Sequence, residues 1–345
     1  MALGTVCDVV PLTGVNRALV AQGLKVMARR GNAGLAALAD LAGLDQAPEA
    51  YHAGFVLGPR VNAGGRVGEA GLGARLLATD DKTEARRLAE RLDGFNRERR
   101  RIEAEILAQA VDRVEGLGIQ SEPLVFVAGE GWHVGVIGIV ANRLSERYNR
   151  PACVVAIADG VGKGSGRSVA GLDLGAAVLA AVQAGLLIDG GGHPMAAGFT
   201  VAADRLPALR SFLMERVAAL TDGRPAEPEL RLDGALQPAA VTTTLVGDLA
   251  RLGPFGAGNP QPRFALANVR ILKADVVGDG HLRCLVTGEG GGRLKAIAFK
   301  AMDGPLGQGL RHRSGAALHL AGHLRPDNWR GREGVQLVID DAAAA

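Results

Sequence analysis

Cysteine, aromatic rings and long apolar runs are all scarce in this 345-residue chain, and each shortage closes off a class of protein. The three cysteines, Cys7, Cys153 and Cys284, stand far apart with no CxxC pair. That excludes a disulfide scaffold and a thiolate zinc site. Each cysteine lies in an apolar or strand-like context, so buried free thiols in a reducing cytoplasm are expected. Aromatics make up 3% of the chain, so few rings are left for stacking. No apolar run reaches membrane-spanning length, which argues against a membrane partner. Met1 leads into Ala-Leu-Gly-Thr without the basic start of a signal peptide, so a cytoplasmic location is expected. A large charge of one sign is also missing: the net charge is +3, with a pI near 8.9. This balance is compatible with a nucleic-acid partner without demanding one.

What the chain has in excess is glycine, 50 residues, with no collagen-like period. The glycines predict tight turns and close backbone approaches. Hydrophobic residues at 48% and this length suffice for two or three domains. Residues 2–12 read as a buried strand turning at Pro11. A fold rarely begins inside its core, so the chain is expected to be the C-terminal part of something longer.

Apolar spacing predicts helices over 16–30 and 34–44. Residues 54–75 are glycine-rich. Asp81 and Glu84 have the spacing of an N-cap and its partner, opening a long helix to about Gly116 with only Gly94 inside it. Residues 123–200 alternate strand and helix patterns, and 206–220 closes that unit as a helix. The polar linker 221–229 separates it from five short strands divided by glycine turns, a texture that suits a small β-barrel.

Five constellations could carry chemistry. Asp8, at the end of the predicted strand, can offer a carboxylate to a divalent cation, or cap a turn. GPRVNAGGR places Arg60, Asn62 and Arg66 in a predicted glycine-rich loop suited to phosphate or nucleobase contact, since guanidinium forks match phosphate oxygens; pairing with carboxylates is the plainer alternative. EGWHVGVIGIV puts Trp132 and His133 at a predicted helix start, which favours anions. GKGSGRS gathers Lys163, Ser165, Arg167 and Ser168 among glycines in a predicted phosphate-binding turn, at a spacing unlike a Walker A loop. GGGHPMAAGF supplies Gly191, Gly192 and His193, where amides turned to one side would form an anion-binding nest beside an imidazole.

GTVCDVVPL, LGPRVNAGGR, EGWHVGVIGIVANRLSERYNRP, GKGSGRS, GGGHPMAAGF and LGPFGAGNPQPRF follow one another in an order and at a spacing that resemble the RecJ family, single-stranded-DNA-specific exonucleases of the DHH phosphoesterase superfamily. The resemblance implies an α/β fold. Residues 1–80 would be the C-terminal part of a DHH catalytic domain, 81–118 a connector helix, 119–222 a DHHA1 domain and 230–341 an OB-fold. It implies stepwise 5′–3′ hydrolysis of single-stranded DNA with two Mn²⁺ or Mg²⁺ ions, in repair and recombination, by a monomer that works beside a single-strand-binding protein and a helicase.

In this resemblance Asp8 matches the last metal-binding aspartate and His193 the DHHA1 histidine facing the metals. Ser165 and Arg167 match residues that grip the terminal phosphate. In the barrel Phe255, Phe264, Phe299 and Trp329 are the few rings, and Arg311, Arg313, Arg325, Arg330 and Arg332 are the candidate phosphate contacts. The family's Asp-rich strands and Asp-His-His triplet have no counterpart here, so this polypeptide alone is expected to be inactive. Two rivals follow: a non-catalytic single-strand-binding module, and a phosphodiesterase for small oligonucleotides or cyclic dinucleotides, whose relatives generally lack the barrel.

Overall fold

A computed structural model describes residues 1–220, 229–312, 315–327 and 334–345. Residues 221–228 of the expected linker 221–229, and Arg313, Trp329, Arg330 and Arg332, lie outside the described residues. Two compact units emerge, Met1–Arg29 with Gln46–Gly54 and Glu229–Ala345, and Arg30–Asp45 with Phe55–Pro228. Residues 1–80 divide between them.

In the first unit the predicted opening strand is instead a helix, α1 (Ala2–Cys7). Ala2 and Leu3 are buried, and Ala2, Leu12 and Val20 form a small core with α2 (Gly14–Ala28). The β-branched run pointed to a strand, but packing on α2 overrides that weak preference. Asp8 is therefore the exposed C-cap of a short helix rather than the end of a buried strand.

The second unit holds α3 (Ala33–Leu41) and, after a π-helical turn at His52–Leu57 whose first three residues belong to the first unit, α4 (Gly58–Val67), α5 (Leu72–Ala78) and α6 (Lys82–Gly116). The glycine-rich 58–66 is thus helical, not a loop. Gly64 and Gly73 permit it: a Cβ on Gly64 would lie 2.5 Å from the Glu69 carbonyl oxygen, and one on Gly73 2.6 Å from that of Val61. The Asp81 carboxylate caps α6, accepting from the amides of Thr83 at 2.7 Å and Glu84 at 3.2 Å.

A five-stranded sheet follows, built from β1 (Val125–Glu130), β2 (Ala152–Ala158), β3 (Val161–Arg167), β4 (Asp189–His193) and β5 (Ala196–Ala202). Its order is β1-β2-β3-β5-β4, with β1 and β2 parallel and the other pairs antiparallel. Helix α7 (Ile137–Tyr148) joins β1 to β2 and packs on one face, against Ala152, Val154 and Ala156. The other face carries α8 (Leu174–Gln183) and α9 (Leu206–Leu220) over Cys153, Val155, Ala197, Phe199 and Val201. Burial pushes the Cys153 thiol up to about 12, so it stays protonated and inert, as expected of a core cysteine.

The barrel belongs to the first unit. After β6 (Gly234–Leu236) and α10 (Thr243–Ala250) come β7 (Arg263–Val277), β8 (His281–Thr287), β9 (Arg293–Ala298), α11 (Pro305–His312), β10 (Ala317–Pro326) and β11 (Val335–Ala344). The ladder β7-β8-β9-β11-β10 closes through the β10–β7 pairing, which gives the expected five-stranded OB-type barrel. Strand β6 runs parallel along β7 as an addition. Leu266, Leu282, Leu294, Leu320 and Leu337 fill the interior.

Removing the α6 cap tests the helix start. Asp81→Ala is expected to cost about 0.5–2 kcal/mol in urea unfolding monitored by circular dichroism. An unchanged midpoint would contradict the capping role.

Candidate functional site

Register assembles the site in the second unit. Arg167 of β3 stands opposite Ala196 of β5, which stands opposite His193 of β4. Directly opposed residues in antiparallel strands share a face, so these three side chains form one row. Two ladder spacings put the outer two backbones about 10 Å apart. The adjacent row is Ser165–Gly198–Gly191, and the one beyond it is Lys163–Thr200–Asp189. Helix α7 covers this face over β2 and β3 but leaves β4 and β5 open. Nothing lies within 4 Å of a Cβ placed on Gly191, and only the Gly164 carbonyl oxygen, at 3.9 Å, lies near one on Gly198. The result is a bare glycine floor with Ser165 and Arg167 along one wall and His193 along the other.

Helix α7 supplies part of the Arg167 wall. A Cβ on Gly138, in its first turn, would sit 3.0 Å from Ser165 Oγ and 3.1 Å from Arg167 Nη2. No side chain caps this helix start, so its first amides and the positive end of its dipole lie beside the arginine. Arg167 Nη1 donates to Ser165 Oγ at 3.2 Å and to the Gly166 carbonyl at 2.8 Å, which fixes the guanidinium. Burial, and then the charge of Arg66, pull its pKa below the usual guanidinium value. Arg66 is anchored in turn by donating from Nη1 to the Gly135 carbonyl at 3.1 Å. Among the described residues neither Arg66 nor Arg167 forms an ion pair, so the wall carries uncompensated positive charge.

Both candidate histidines are oriented by the backbone. His133 Nδ1 accepts from the Gly135 amide at 3.0 Å, and His193 Nδ1 accepts from the Met195 amide at 3.3 Å. In the neutral ring this assigns the proton to Nε2, which makes Nε2–H the donor of each imidazole.

Several expectations are corrected. GKGSGRS is strand β3, not a turn, and its backbone is committed to β2 and β5. GGGH is strand β4, and none of Gly190, Gly191 and Gly192 has positive φ, so no amide nest forms. Its glycines serve packing instead. A Cβ on Gly192 would lie 2.3 Å from the Ala196 carbonyl oxygen, so that residue shapes the hairpin while Gly191 floors the site.

Ser168 is buried and donates to the Leu172 carbonyl at 2.8 Å, a structural bond. Arg60 is spent on Asp93 at 2.9 Å and the Val56 carbonyl at 2.7 Å. Trp132 is core, donating to Gln109 at 2.8 Å, and α7 begins only at Ile137, so His133 precedes the helix. Asn62 is exposed on α4. Lys163 donates to Thr200 Oγ1 at 2.9 Å, two rows from Arg167. Sequence reasoning missed Gly135, just before α7, and Gly138 in its first turn, where a Cβ would meet Arg66 and Arg167 respectively.

The metal expectation meets an incomplete donor set. Among the described residues no group of three or more His, Cys, Asp or Glu is placed to hold an ion, and Asp8 is a single exposed carboxylate. These residues do not fit a two-metal centre.

Residues 121–219 match the DHHA1 domain and residues 232–341 the RecJ OB domain. The single-stranded-DNA-specific exonuclease RecJ of Dickeya dadantii is 38% identical over 99% of this chain. This chain is a RecJ homologue. It spans 60% of the Dickeya RecJ. The crystal structure of Thermus thermophilus RecJ in complex with Mn²⁺ covers all of this chain at a TM-score of 0.86 and 31% identity, with 49% of that RecJ chain matched. The Mg²⁺ complex of the same RecJ gives a TM-score of 0.84 at 30% identity, with 51% matched. Divalent metal binding is thus a property of the family. No described helix is long and apolar enough to cross a membrane.

Ser168 offers a check on the division between structural and site residues. Ser168→Ala is expected to lower stability by about 0.5–1.5 kcal/mol while leaving anion binding at Arg167 intact. Titration with inorganic sulfate alongside thermal melting separates the two effects.

Proposed function

We propose that this chain is the strand-gripping part of a RecJ-type 5′–3′ single-stranded-DNA exonuclease, and that the glycine-floored hollow seats the strand's 5′-terminal phosphate. The row Arg167–Ala196–His193 carries this reading. It brings a fixed guanidinium and an oriented imidazole N–H to opposite walls of one open floor, with Ser165 and the α7 start beside the guanidinium. A terminal phosphate presents several anionic oxygens, and charge-assisted bonds from Arg167 and His193 can engage different ones. The barrel accounts for the rest of the strand, through electrostatics and stacking as in other OB-folds.

Cutting the strand is a separate matter. The family's hydrolysis depends on divalent metal, and the described residues hold no donor set for it. The residues present bind, orient and neutralise. The non-catalytic binding module is therefore the reading this set of donors favours for the chain on its own. The barrel argues against a phosphodiesterase for small oligonucleotides. Roles in repair and recombination, with single-strand-binding protein and helicase as partners, remain part of the proposal for the family enzyme.

Two measurements test the reading. Arg167→Ala is expected to weaken binding of a 5′-phosphorylated single strand by about 1.5–3 kcal/mol and to spare a 5′-hydroxyl strand. Equal losses on both would contradict the phosphate seat. Incubated with Mn²⁺ and an end-labelled strand, the 345-residue chain is expected to bind and release no nucleotide. Released product would show that it carries a metal site of its own.

A further inference from the structure

The barrel's outer face holds a planar cluster that the phosphate seat does not use. His281 opens β8, and Phe299 lies one position beyond the Leu282–Ala298 pair. Their rings meet edge to face with centroids 5.2 Å apart. The Arg325 guanidinium lies 4.8 Å from the centroid of the Phe299 ring. Phe299 remains 44% exposed despite both neighbours.

Single exposed rings are ordinary on protein surfaces. This one differs because each planar group around it is fixed by a separate bond. Arg325 donates from Nε at 3.2 Å and from Nη2 at 2.8 Å to Oε1 of Gln336, a buried side chain. The two donations hold the plane of the guanidinium, whose own pKa burial pulls down. His281 Nδ1 accepts from the Lys300 amide at 2.9 Å. Lys300 makes that bond from a left-handed conformation, φ 48°, which costs energy in a residue with a Cβ. Beside the cluster Ile297 and Val338, which alternate out of the barrel core, are nearly covered. Lys300 stands exposed next to Phe299, and Arg293 and Lys295, which pairs with Asp327 at 2.7 Å, are exposed along strand β9.

We infer that His281, Phe299 and Arg325 form a preorganised seat for one unpaired nucleobase, stacked on the Phe299 ring and its guanidinium neighbour. The chemistry selects a flat, polarisable ring with an anionic backbone beside it. Every nucleobase offers a π-face, so the seat is sequence-tolerant. Arg325 accordingly acts as a stacking plane rather than as the phosphate contact expected from sequence. The inference rests on the single-strand reading above and adds a base contact to it.

The test uses the full chain, a labelled oligo(dT) and an abasic phosphodiester of equal length, read by fluorescence anisotropy over a salt series. Phe299→Leu keeps apolar bulk and removes the ring. It is expected to weaken oligo(dT) binding between about 5-fold and about 150-fold, the range one stacked base contributes, and to leave abasic binding and the salt slope unchanged. Phe299→Trp is expected to keep the affinity and to be quenched by oligo(dT) but not by the abasic strand. Thermal melting confirms that both variants fold. Wild-type affinity in Phe299→Leu, or an equal loss on the abasic strand, would overturn the base seat while leaving the single-strand reading standing. Failure of the unaltered chain to bind oligo(dT) would overturn both.

Discussion

In a β-sheet a one-residue slip of register sends every side chain to the opposite face. The pairing of β3, β5 and β4 is therefore the constraint on which the candidate site depends. It puts Arg167 and His193 in one row across Ala196 and a bare glycine row beside them. The other face of the same strands fixes that register. Ala197, Phe199 and Val201 are buried under α8 and α9, and the slipped sheet would expose them. Fully burying a side chain such as valine or phenylalanine is worth about 1.5–3 kcal/mol, so the hydrophobic face pins the polar one.

Glycine is needed on both faces for different reasons. On the packed face a Cβ on Gly164 would lie 2.1 Å from the Phe199 ring, and one on Gly166 2.6 Å from Leu174. Gly175 of α8 lets that helix sit directly on β4, since a Cβ there would come within 2.8 Å of the His193 amide nitrogen. On the open face Gly191 and Gly198 leave room. The hollow is thus shaped by side chains that are missing, and its charge comes from Arg167 and Arg66; burial, and then the nearby Arg66 charge, depress the Arg167 pKa. Bringing two cations together has a cost that an arriving anion relieves.

Much of this was legible in the sequence. The cap at Asp81, the long helix behind it, the α/β alternation after residue 123 and the five barrel strands all follow from periodicity and punctuation. The glycine-rich segments were misread, because a glycine that permits a turn and a glycine that permits close packing look alike in one dimension. GKGSGRS and GGGH are strands whose glycines answer to Phe199, Leu174 and the β5 backbone, partners that only the fold supplies. The run from Val6 to Val10 has strand-like residues, yet Ala2 and Leu3 pack α1 as a helix. The convergence of Arg167 with His193 comes from the β3–β5–β4 pairing, since a sheet can join segments about 25 residues apart without any turn at either one.

If Arg167 and His193 share one ligand, as proposed, their contributions to binding are coupled. A double-mutant cycle with Arg167→Ala and His193→Ala, read as affinity for a 5′-phosphorylated single strand, measures this directly. The two losses are expected to be coupled by more than about 0.5 kcal/mol, beyond the scatter of independent sites. Strictly additive losses would place the two residues on separate ligands and contradict it.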